Sequence, residues 1–289
     1  MKSKVIVLAA FILAVISIPS AQSTPYLHAS TSGSSMTGWS DGGLDTTTLA
    51  HSDSSTFTES FEGQVYLDWT LSVDFQASVA QGKMGADLLS HTHVPIGGRT
   101  GPYAATDAWM TDYFHIDAGD TELPIGTEVQ IRFLSGFAGY ILLEGSPSGG
   151  CYVHYDSYLY KSSVGYLAQL NTDSAVVPSM TSMYPPVNQI VNTSINKLVT
   201  VQVGDVLTVQ SFFSMDLNGS AYGSAAAGYP YDEGNNNLGF LDTGYARIGY
   251  ANGSEDIEIW SDGGATIIPE PATICLLGLG ALSLIRKKQ

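Results

Sequence analysis

The amino-acid sequence predicts an all-β protein, built as an antiparallel β-sandwich or jelly roll of roughly ten strands. Charged residues make up only 13% of the 289-residue chain, and the abundant Gly, Ser, Thr, Asn and Tyr favour strands and turns over charged surface helices. Apolar and polar residues alternate with a period of two over long segments. Between the termini no amphipathic helical pattern occurs, which is typical of an antiparallel two-layer fold.

The clearest predicted strand lies in residues 64–76, where every second residue is apolar. Val65, Leu67 and Trp69 begin this alternation, which indicates a strand with one buried face. Val203-Gly204-Asp205-Val206 is predicted to form a tight hairpin. Further strands are predicted at residues 113–117, 128–133, 137–143, 151–160, 164–170, 198–203, 206–217, 247–250 and 257–260, with long loops at 171–195 and 221–237.

The N-terminus has the three parts of a secretory signal peptide. Lys2 and Lys4 precede an apolar run over residues 5–18, and Ala21 and Ser23 are small residues at the spacing that a signal peptidase requires. We therefore expect residues 1–23 to form a signal helix that is cleaved after Ser23, and we expect the rest of the chain to be exported.

The remainder divides by composition. Residues 24–60 are rich in Ser, Thr, Gly and Asp and poor in apolar side chains, which predicts a polar flexible arm or an edge. Residues 61–265 are predicted to form one β-sandwich, because a segment of this length can supply its own hydrophobic core. Residues 266–289 form a separate apolar and basic tail.

The charge of the chain excludes some classes of partner. The formal net charge is −16, and five of the eleven basic residues lie in the two terminal segments. Residues 24–273 thus contain 6 basic and 27 acidic residues, a balance of −21. Such a surface repels nucleic acid and anionic lipid, so the partners it favours are a cation or a neutral polymer. The only cysteines are Cys151 and Cys275, which leaves no internal disulfide if the tail is removed.

The tail has the order of a motif, an apolar segment and a basic cluster. Pro269, Glu270 and Pro271 precede the apolar residues 274–285, and Arg286-Lys287-Lys288 follows. The apolar segment is shorter than the roughly 20 residues that cross a bilayer comfortably, so the tail predicts a short transmembrane-like helix. Its basic end is expected to stay cytoplasmic.

This tail closely resembles the PEP-CTERM sorting signal, in which Pro-Glu-Pro is followed by a hydrophobic helix and an arginine-rich end. The resemblance implies that an exosortase, a membrane transpeptidase-like enzyme, recognises Pro269, Glu270 and Pro271. It also implies a Gram-negative host that secretes exopolysaccharide, and a passenger held transiently in the inner membrane before it reaches the cell surface or the medium. Lys287 and Lys288 replace further arginines of the family pattern.

Three tyrosines are candidates for glycan binding. Tyr152, Tyr158 and Tyr160 have the same parity within one predicted strand, so their rings are expected on one face of a sheet. Such rings combine an apolar body with a polar tip and can stack on sugar faces. The alternative is ordinary cross-strand packing, in which tyrosines are common.

Two weak patterns are candidates for metal binding. His91 and His93 would place two imidazoles on one strand face, and Asp87 or His115 could complete a zinc or copper site. Asp216 and Asn218, or residues 41–45, could supply oxygen ligands to a structural calcium ion, which is the more plausible metal outside the cell. Turn chemistry and exposed loop histidines explain the same residues without a metal, and no other cofactor is expected.

No motif of a known catalytic class occurs, since the chain has neither Gly-x-Ser-x-Gly nor His-Glu-x-x-His. We therefore expect a protein that is not an enzyme, with a structural or adhesive role at the cell surface or in the extracellular matrix. The alternative function is an exopolysaccharide-binding module, and the third is a secreted hydrolase.

Overall fold

The computed structural model describes residues 25–33, 39–43, 47–93, 98–99, 103–120, 122–144, 150–176, 187–218, 221–222, 233–241, 244–251 and 256–268. These ranges contain sixteen strands and no helix. All pairs of strands are antiparallel, which confirms the predicted all-β antiparallel class. The predicted signal helix and C-terminal helix lie outside the described residues.

In chain order the strands are β1 Tyr26–Gly33, β2 Trp39–Gly43, β3 Thr48–Phe61, β4 Gln64–Ser78, β5 Lys83–His93, β6 Gly98–Arg99, β7 Tyr103–Ala118, β8 Glu128–Glu144, β9 Gly150–Lys161, β10 Gly165–Val176, β11 Val187–Gln202, β12 Val206–Asn218, β13 Ala221–Tyr222, β14 Glu233–Gly239, β15 Gly244–Tyr250 and β16 Ile257–Ser261. Sheet A has the order β10-β9-β12-β7-β1-β2, with β16 beside β7. Sheet B has the order β11-β8-β14-β5-β4-β3, with β15 beside β5 and β8. Strands β6 and β13 form a separate pair.

The two sheets pack face to face around an aromatic core. Phe137 of sheet B stacks on Tyr155 of sheet A with ring centroids 5.0 Å apart, and on Phe240 at 4.9 Å. All three side chains are fully buried. Burial of an aromatic or aliphatic side chain of this size stabilises the fold by roughly 2–3 kcal/mol relative to exposure, so this cluster holds the layers together.

A polar belt divides the core into two apolar clusters. On each of four strands one inward residue between the clusters is polar, namely Asp112 on β7, Ser135 on β8, Ser157 on β9 and Ser211 on β12. The Ser135 hydroxyl bonds that of Ser157 and donates to the Tyr245 carbonyl at 2.9 Å. The belt therefore ties sheet B to sheet A by hydrogen bonds as well as by packing.

The prediction of roughly ten strands is wrong, because it divided long strands and missed polar ones. The patterns at residues 128–133 and 137–143 belong to the single strand β8. The predicted loops at 171–195 and 221–237 contribute residues to β10, β11, β13 and β14. In β14, Asn235 and Asn237 pair with both β5 and β8, so main-chain hydrogen bonds form a strand there despite poor strand propensity.

The segment predicted as a flexible arm or an edge, residues 24–60, is mostly regular strand. Strands β1 and β2 join sheet A, and β3 ends sheet B, so the sandwich begins well before residue 61. Leu27, Ala29 and Thr31 alternate inward and are buried. The sequence pattern did not predict this strand because two of these three buried side chains are small. The alternative expectation for this segment was an edge, and β2 and β3 are indeed the last strands of their sheets.

The turn over residues 203–206 is tight, but it is not a hairpin. Strand β11 ends in sheet B and β12 begins in sheet A, so the turn carries the chain from one layer to the other. Gly204 has a φ of +92°, which favours glycine. Its N–H donates to the Ile116 carbonyl at 2.7 Å, and the Ile116 N–H donates to Asp205 at 3.0 Å. The turn is therefore fixed to β7.

Candidate functional site

The outer face of sheet A carries ring side chains on five neighbouring strands. In β9 the odd-numbered residues 151–159 point into the core, so the even-numbered residues point outward. Tyr152, Tyr158 and Tyr160 therefore lie on this outer face, as their shared parity suggested. We call the following set the aromatic face: His28 of β1, Trp109 of β7, Phe212 of β12, Tyr152, His154, Tyr158 and Tyr160 of β9, and Tyr166 of β10.

The middle of the aromatic face is a continuous row of rings across three strands. The register sets His28 opposite Trp109, and Trp109 opposite Phe212. The His28 and Trp109 rings are 5.5 Å apart, and the Trp109 and Phe212 rings are 5.3 Å apart. Trp109 keeps 46% of its surface exposed despite these neighbours.

The row continues onto β9 through a histidine. The His154 ring lies 5.4 Å from the Phe212 ring and 6.1 Å from the Tyr152 ring. The spacing between hydrogen-bonded strands is about 4.8 Å, so the rings from β1 to β10 span about 19 Å. This length exceeds a single sugar ring and suits an extended ligand.

Asp156 connects the two ring groups of β9. The Tyr158 hydroxyl donates to Asp156 Oδ2 at 2.7 Å, and His154 Nε2 lies 2.9 Å from the same oxygen. Asp156 itself is buried. Burial, the hydrogen bond to Asp156 and the charge of Asp156 raise the pKa of Tyr158 to about 12, so this phenol stays protonated at physiological pH. The Asp156 carboxylate thus orients both the Tyr158 ring and the His154 ring.

A β-bulge directs Tyr166 to the aromatic face. The register between β9 and β10 shifts between Tyr166 and Ala168, so Tyr166 pairs with outward Tyr160 whereas Ala168 pairs with inward Leu159. Without the extra residue of the bulge, Tyr166 would lie on the same face of β10 as Ala168, and its side chain would point into the core. The Tyr166 ring lies 5.2 Å from the Tyr158 ring, and 66% of its surface is exposed.

A second ring pair lies at the end of sheet A where β16 joins β7. The His115 and Trp260 rings stack in parallel with centroids 3.7 Å apart. Trp260 Nε1 donates to Asp117 Oδ2 at 2.6 Å, and His115 Nε2 lies 2.9 Å from Asp262 Oδ1. Both rings are therefore held by carboxylates, as Tyr158 is held by Asp156.

Sheet A is depleted of fixed positive charge. Among all the residues of its seven strands the only Lys or Arg is Lys161, and its ammonium is paired with Asp205 at 2.7 Å. The aromatic face instead adjoins carboxylates, since Asp107 accepts a hydrogen bond from Ser30, and Asp216 accepts one from the Tyr103 hydroxyl at 3.3 Å. Burial raises the pKa of Asp216 above its usual range.

The structure places two of the predicted zinc or copper ligands in different sheets. His91 lies in sheet B, whereas His115 lies in sheet A and stacks on Trp260. Asp87 accepts the backbone N–H groups of Phe240 and Leu241 at 2.8 Å each. His93 lies two residues beyond His91 in β5, but its side chain is outside the described part of the structure.

Of the two residues predicted first as calcium ligands, only Asp216 has its side chain in the described part of the structure. Asp216 bonds Tyr103 within sheet A. Asn218 ends β12, and its side chain is not among those described. Across the described residues no group of three or more His, Cys, Asp or Glu side chains is arranged to hold a metal ion.

Sequence reasoning found the tyrosines of β9 but missed Trp109, Phe212 and His28. These three residues come from strands that are distant in sequence, and only the strand order places them near β9. The sequence held a partial signal for two of them. Trp109 in β7 and Phe212 in β12 are aromatic residues at positions where the alternating pattern would place a polar, outward-facing side chain.

Comparison with known families identifies the end of the chain. The model of the PEP-CTERM protein-sorting motif matches residues 268–289. The chain therefore carries this sorting motif in its last 22 residues. The motif indicates that an exosortase sorts the protein to the cell surface. Pro269, Glu270 and Pro271 lie within the matched residues, and they and the predicted cleavage residues Ala21 and Ser23 are outside the described structure.

The remaining comparisons are weak. No curated protein matches this chain. Among solved structures, a chain of the T13 IBDV viral particle is 9% identical with a TM-score of 0.15, covering 85% of this chain and 58% of its own length. The Clostridium perfringens NetB toxin in its membrane-inserted form is 12% identical with a TM-score of 0.14, covering 74% of this chain and 94% of the toxin.

TmCBM61, solved in complex with β-1,4-galactotriose, is 9% identical with a TM-score of 0.12, covering 68% of this chain and 86% of that one. TM-scores this low support no inference about the fold or the function of this chain. Among the residues that the structure describes, none forms a helix long and apolar enough to span a membrane.

Proposed function

We propose that this exported protein is a non-enzymatic adhesive or matrix component that binds neutral polysaccharide through the aromatic face. The observation that carries the proposal is the aromatic face, whose rings come from five adjacent strands of one sheet and of which Trp109 and Tyr166 are strongly exposed. A solvent-exposed aromatic surface of this extent is costly in a soluble protein unless a partner uses it. Exopolysaccharide is the partner we assign to it.

The chemistry of the aromatic face suits sugars. Pyranose rings present C–H groups on one or both faces, and these pack against aromatic rings, while their hydroxyl groups need hydrogen-bond partners. Asp107 and Asp216 lie among the rings and can accept hydroxyl hydrogens. Tyrosine and histidine tips supply further donors and acceptors beside the apolar surfaces.

The charge of sheet A favours a neutral glycan over an anionic one. A uronate or phosphate group would approach carboxylates, and the single lysine of the sheet is already paired with Asp205. Like charges across an interface cost affinity and slow association. We therefore expect linear neutral polysaccharides to bind and strongly anionic ones to bind poorly.

The sorting motif is consistent with this role. We infer that the C-terminal helix holds the chain in the inner membrane only transiently, and that the exosortase then releases or transfers it outward. We expect a surface protein delivered in this way to meet exopolysaccharide outside the cell. Its affinity for single chains can be modest, because many copies on one surface bind one polymer.

The test is calorimetric titration of the full chain, kept in mild detergent, with soluble β-glucan, galactan, mannan and an anionic alginate. Tyr166→Ala and Trp109→Ala should each lower the association constant for the neutral ligand about tenfold, which corresponds to about 1.4 kcal/mol. Phe57→Ala is the matched control, because this exposed ring lies on β3 of sheet B.

Equal losses from Phe57→Ala and Trp109→Ala would contradict the assignment of the aromatic face. Absence of binding to every neutral polysaccharide would reject glycan recognition and leave a purely structural role. Analysis of the same mixtures for released oligosaccharides separates binding from hydrolysis, since release would support the hydrolase hypothesis.

A further inference from the structure

The two sheets differ in the length and regularity of their edge strands. Sheet A ends on one side in β2, which has only five residues, two of them glycine. On the other side it ends in β10, which carries the bulge at Tyr166 and Ala168. Short and bulged edge strands hinder the addition of another strand. Sheet A is therefore protected at both edges.

Sheet B ends in two long strands. The pairing of β3 with β4 has one register shift, between Glu59 and Ser60 near the end of β3, and residues 48–59 pair in regular register. β3 has 14 residues and contains no Pro, Gly, Lys or Arg, and β11 has 16 residues and contains no Pro or Gly. Within the described residues no further strand pairs with the outer side of either one. The one lysine of β11, Lys197, donates to the Leu167 carbonyl of β10 at 2.8 Å and so is directed towards sheet A.

The side chains along these strands leave room for a neighbour. On the outer face of β3, Ser52, Ser54 and Thr56 are small and exposed. On the outer face of β11, Asn192 and Ser194 are also small and exposed. Long, regular edges with such side chains are templates for main-chain hydrogen bonding to another chain.

The directions of the strands allow two copies to join without inversion. Sheet B has six strands along its path from β11 to β3, and each neighbouring pair is antiparallel. Strands β3 and β11 therefore run in opposite directions. A second copy translated along the sheet would place its β11 antiparallel to β3 of the first copy, which continues the existing pattern.

Charge favours this arrangement over the pairing of two β3 strands. β3 carries Asp53 and Glu59 and β11 carries no carboxylate, while β11 has Lys197 and β3 has no Lys or Arg. Pairing β3 with β3 would bring four carboxylates to one interface. Like charges opposed across strands destabilise their pairing. Pairing β3 with β11 opposes no like charges.

We propose that copies of this protein associate head to tail, with β3 of one copy pairing with β11 of the next to extend sheet B. Because the interface is heterologous, translation with strand twist generates an open filament rather than a closed dimer. The aromatic faces then repeat along one side of the assembly. The inference rests on the sheet edges and is independent of glycan binding.

Sedimentation velocity of the full chain in mild detergent, over a range of concentrations, tests the proposal with three variants. Ser54→Lys with Thr56→Lys blocks β3, and Asn192→Lys with Ser194→Lys blocks β11, since lysine on an edge hinders strand addition. Thr70→Lys with Ser72→Lys is the control, because these residues pair with Thr56 and Ser54 but lie on β4, one strand inside the edge.

Wild type and the control should form oligomers that grow with concentration, and each edge variant alone should lower the association constant at least tenfold. An equimolar mixture of the two edge variants should form dimers and nothing larger, because only one intact β3 and one intact β11 remain per pair. Dimers of the β11 variant alone would reveal symmetric β3 pairing and overturn the proposal. A wild-type chain that stays monomeric at all concentrations would also overturn it.

Discussion

The Tyr158 hydroxyl donates a 2.7 Å hydrogen bond to Asp156, and this bond joins the tyrosine cluster at the edge of sheet A to the row of rings at its centre. His154 lies 2.9 Å from the same carboxylate oxygen on the other side. Asp156 is buried beneath the rings that it orients. The orientation of the aromatic face therefore depends on a group that a ligand would hardly touch.

Removing the Tyr158 hydroxyl should weaken glycan binding without removing a ring. In Tyr158→Phe the ring keeps its stacking surface but loses its bond to Asp156, so we expect the association constant for neutral polysaccharide to fall about threefold to tenfold. Titration calorimetry measures this change. Tyr160→Phe, on the same face of β9, is the control and should leave affinity nearly unchanged. Equal losses in both variants would show that Asp156 has no special part in orienting the rings.

Trp109 should report ligand binding by its fluorescence. The indole lies between His28 and Phe212 and is still 46% exposed, so a polysaccharide on the aromatic face would exclude water from it. We expect a blue shift and a change of intensity that saturate at the calorimetric affinity. Trp109→Phe should abolish most of this signal, whereas Trp69→Phe, buried in sheet B, should keep it. A signal that survives in Trp109→Phe would place the ligand elsewhere.

The sequence predicted the fold class and the inner and outer faces of β9, because period-two alternation is a local property. Tyr152, Tyr158 and Tyr160 were grouped correctly on this basis. Their partners Trp109 and Phe212 could not be grouped with them, since no local pattern reveals that β12 lies between β9 and β7.

Errors at other positions have similar causes. The turn at Gly204 has the residues of a tight turn, but sheet membership of the flanking strands depends on distant pairings, so a hairpin was predicted where the chain changes layers. Strand β1 was missed because Ala29 and Thr31 are too small to mark a buried face. The sorting motif needed no fold, since its recognition depends on the order of residues alone.

Close packing between β8 and the segment after β14 requires glycine at position 139. A Cβ added to Gly139 would lie 2.3 Å from the Phe240 ring and 2.4 Å from the Gly239 carbonyl oxygen, and this backbone contact cannot be relieved by a side-chain rotation. Gly139→Ala should lower the free energy of unfolding by about 3 kcal/mol, measured by urea denaturation. Thr200→Ala, exposed on β11, should change it little. A loss of less than about 0.5 kcal/mol in the free energy of unfolding of Gly139→Ala would contradict the close approach of β8 to Gly239 and Phe240.

Replacing Pro269, Glu270 and Pro271 by alanine should block sorting, because they lie in the matched sorting motif and we expect an exosortase to recognise them. We expect the variant to accumulate as a membrane-bound precursor that still ends at Gln289, while wild-type protein outside the cell loses its tail. Intact-mass measurement of the membrane and extracellular fractions distinguishes the two forms. Full-length wild type found only in membranes would instead make the tail a permanent anchor.

The stability of the protein should depend on pH through Asp112, a carboxylate in the polar belt of the core. Burial raises the pKa of Asp112, and this effect exceeds the opposing hydrogen bonds from the Gly263 and Tyr113 N–H groups to its Oδ1. A raised pKa means that the ionised form destabilises the folded state. This penalty is present above the folded-state pKa and disappears as the pH falls through that value and Asp112 takes up a proton.

Asp112→Asn should therefore gain stability over wild type at neutral pH, because Asn keeps an oxygen for the two N–H groups and carries no charge. Urea denaturation at pH values from 7 to 4 should show this advantage shrinking as the pH falls. Asp120→Asn, at an exposed position, is the control and should track wild type throughout. An advantage of Asp112→Asn that stays constant on acidification would mean that folding leaves the pKa of Asp112 unchanged. An advantage that grows would mean that folding lowers this pKa and that the polar belt stabilises the charge.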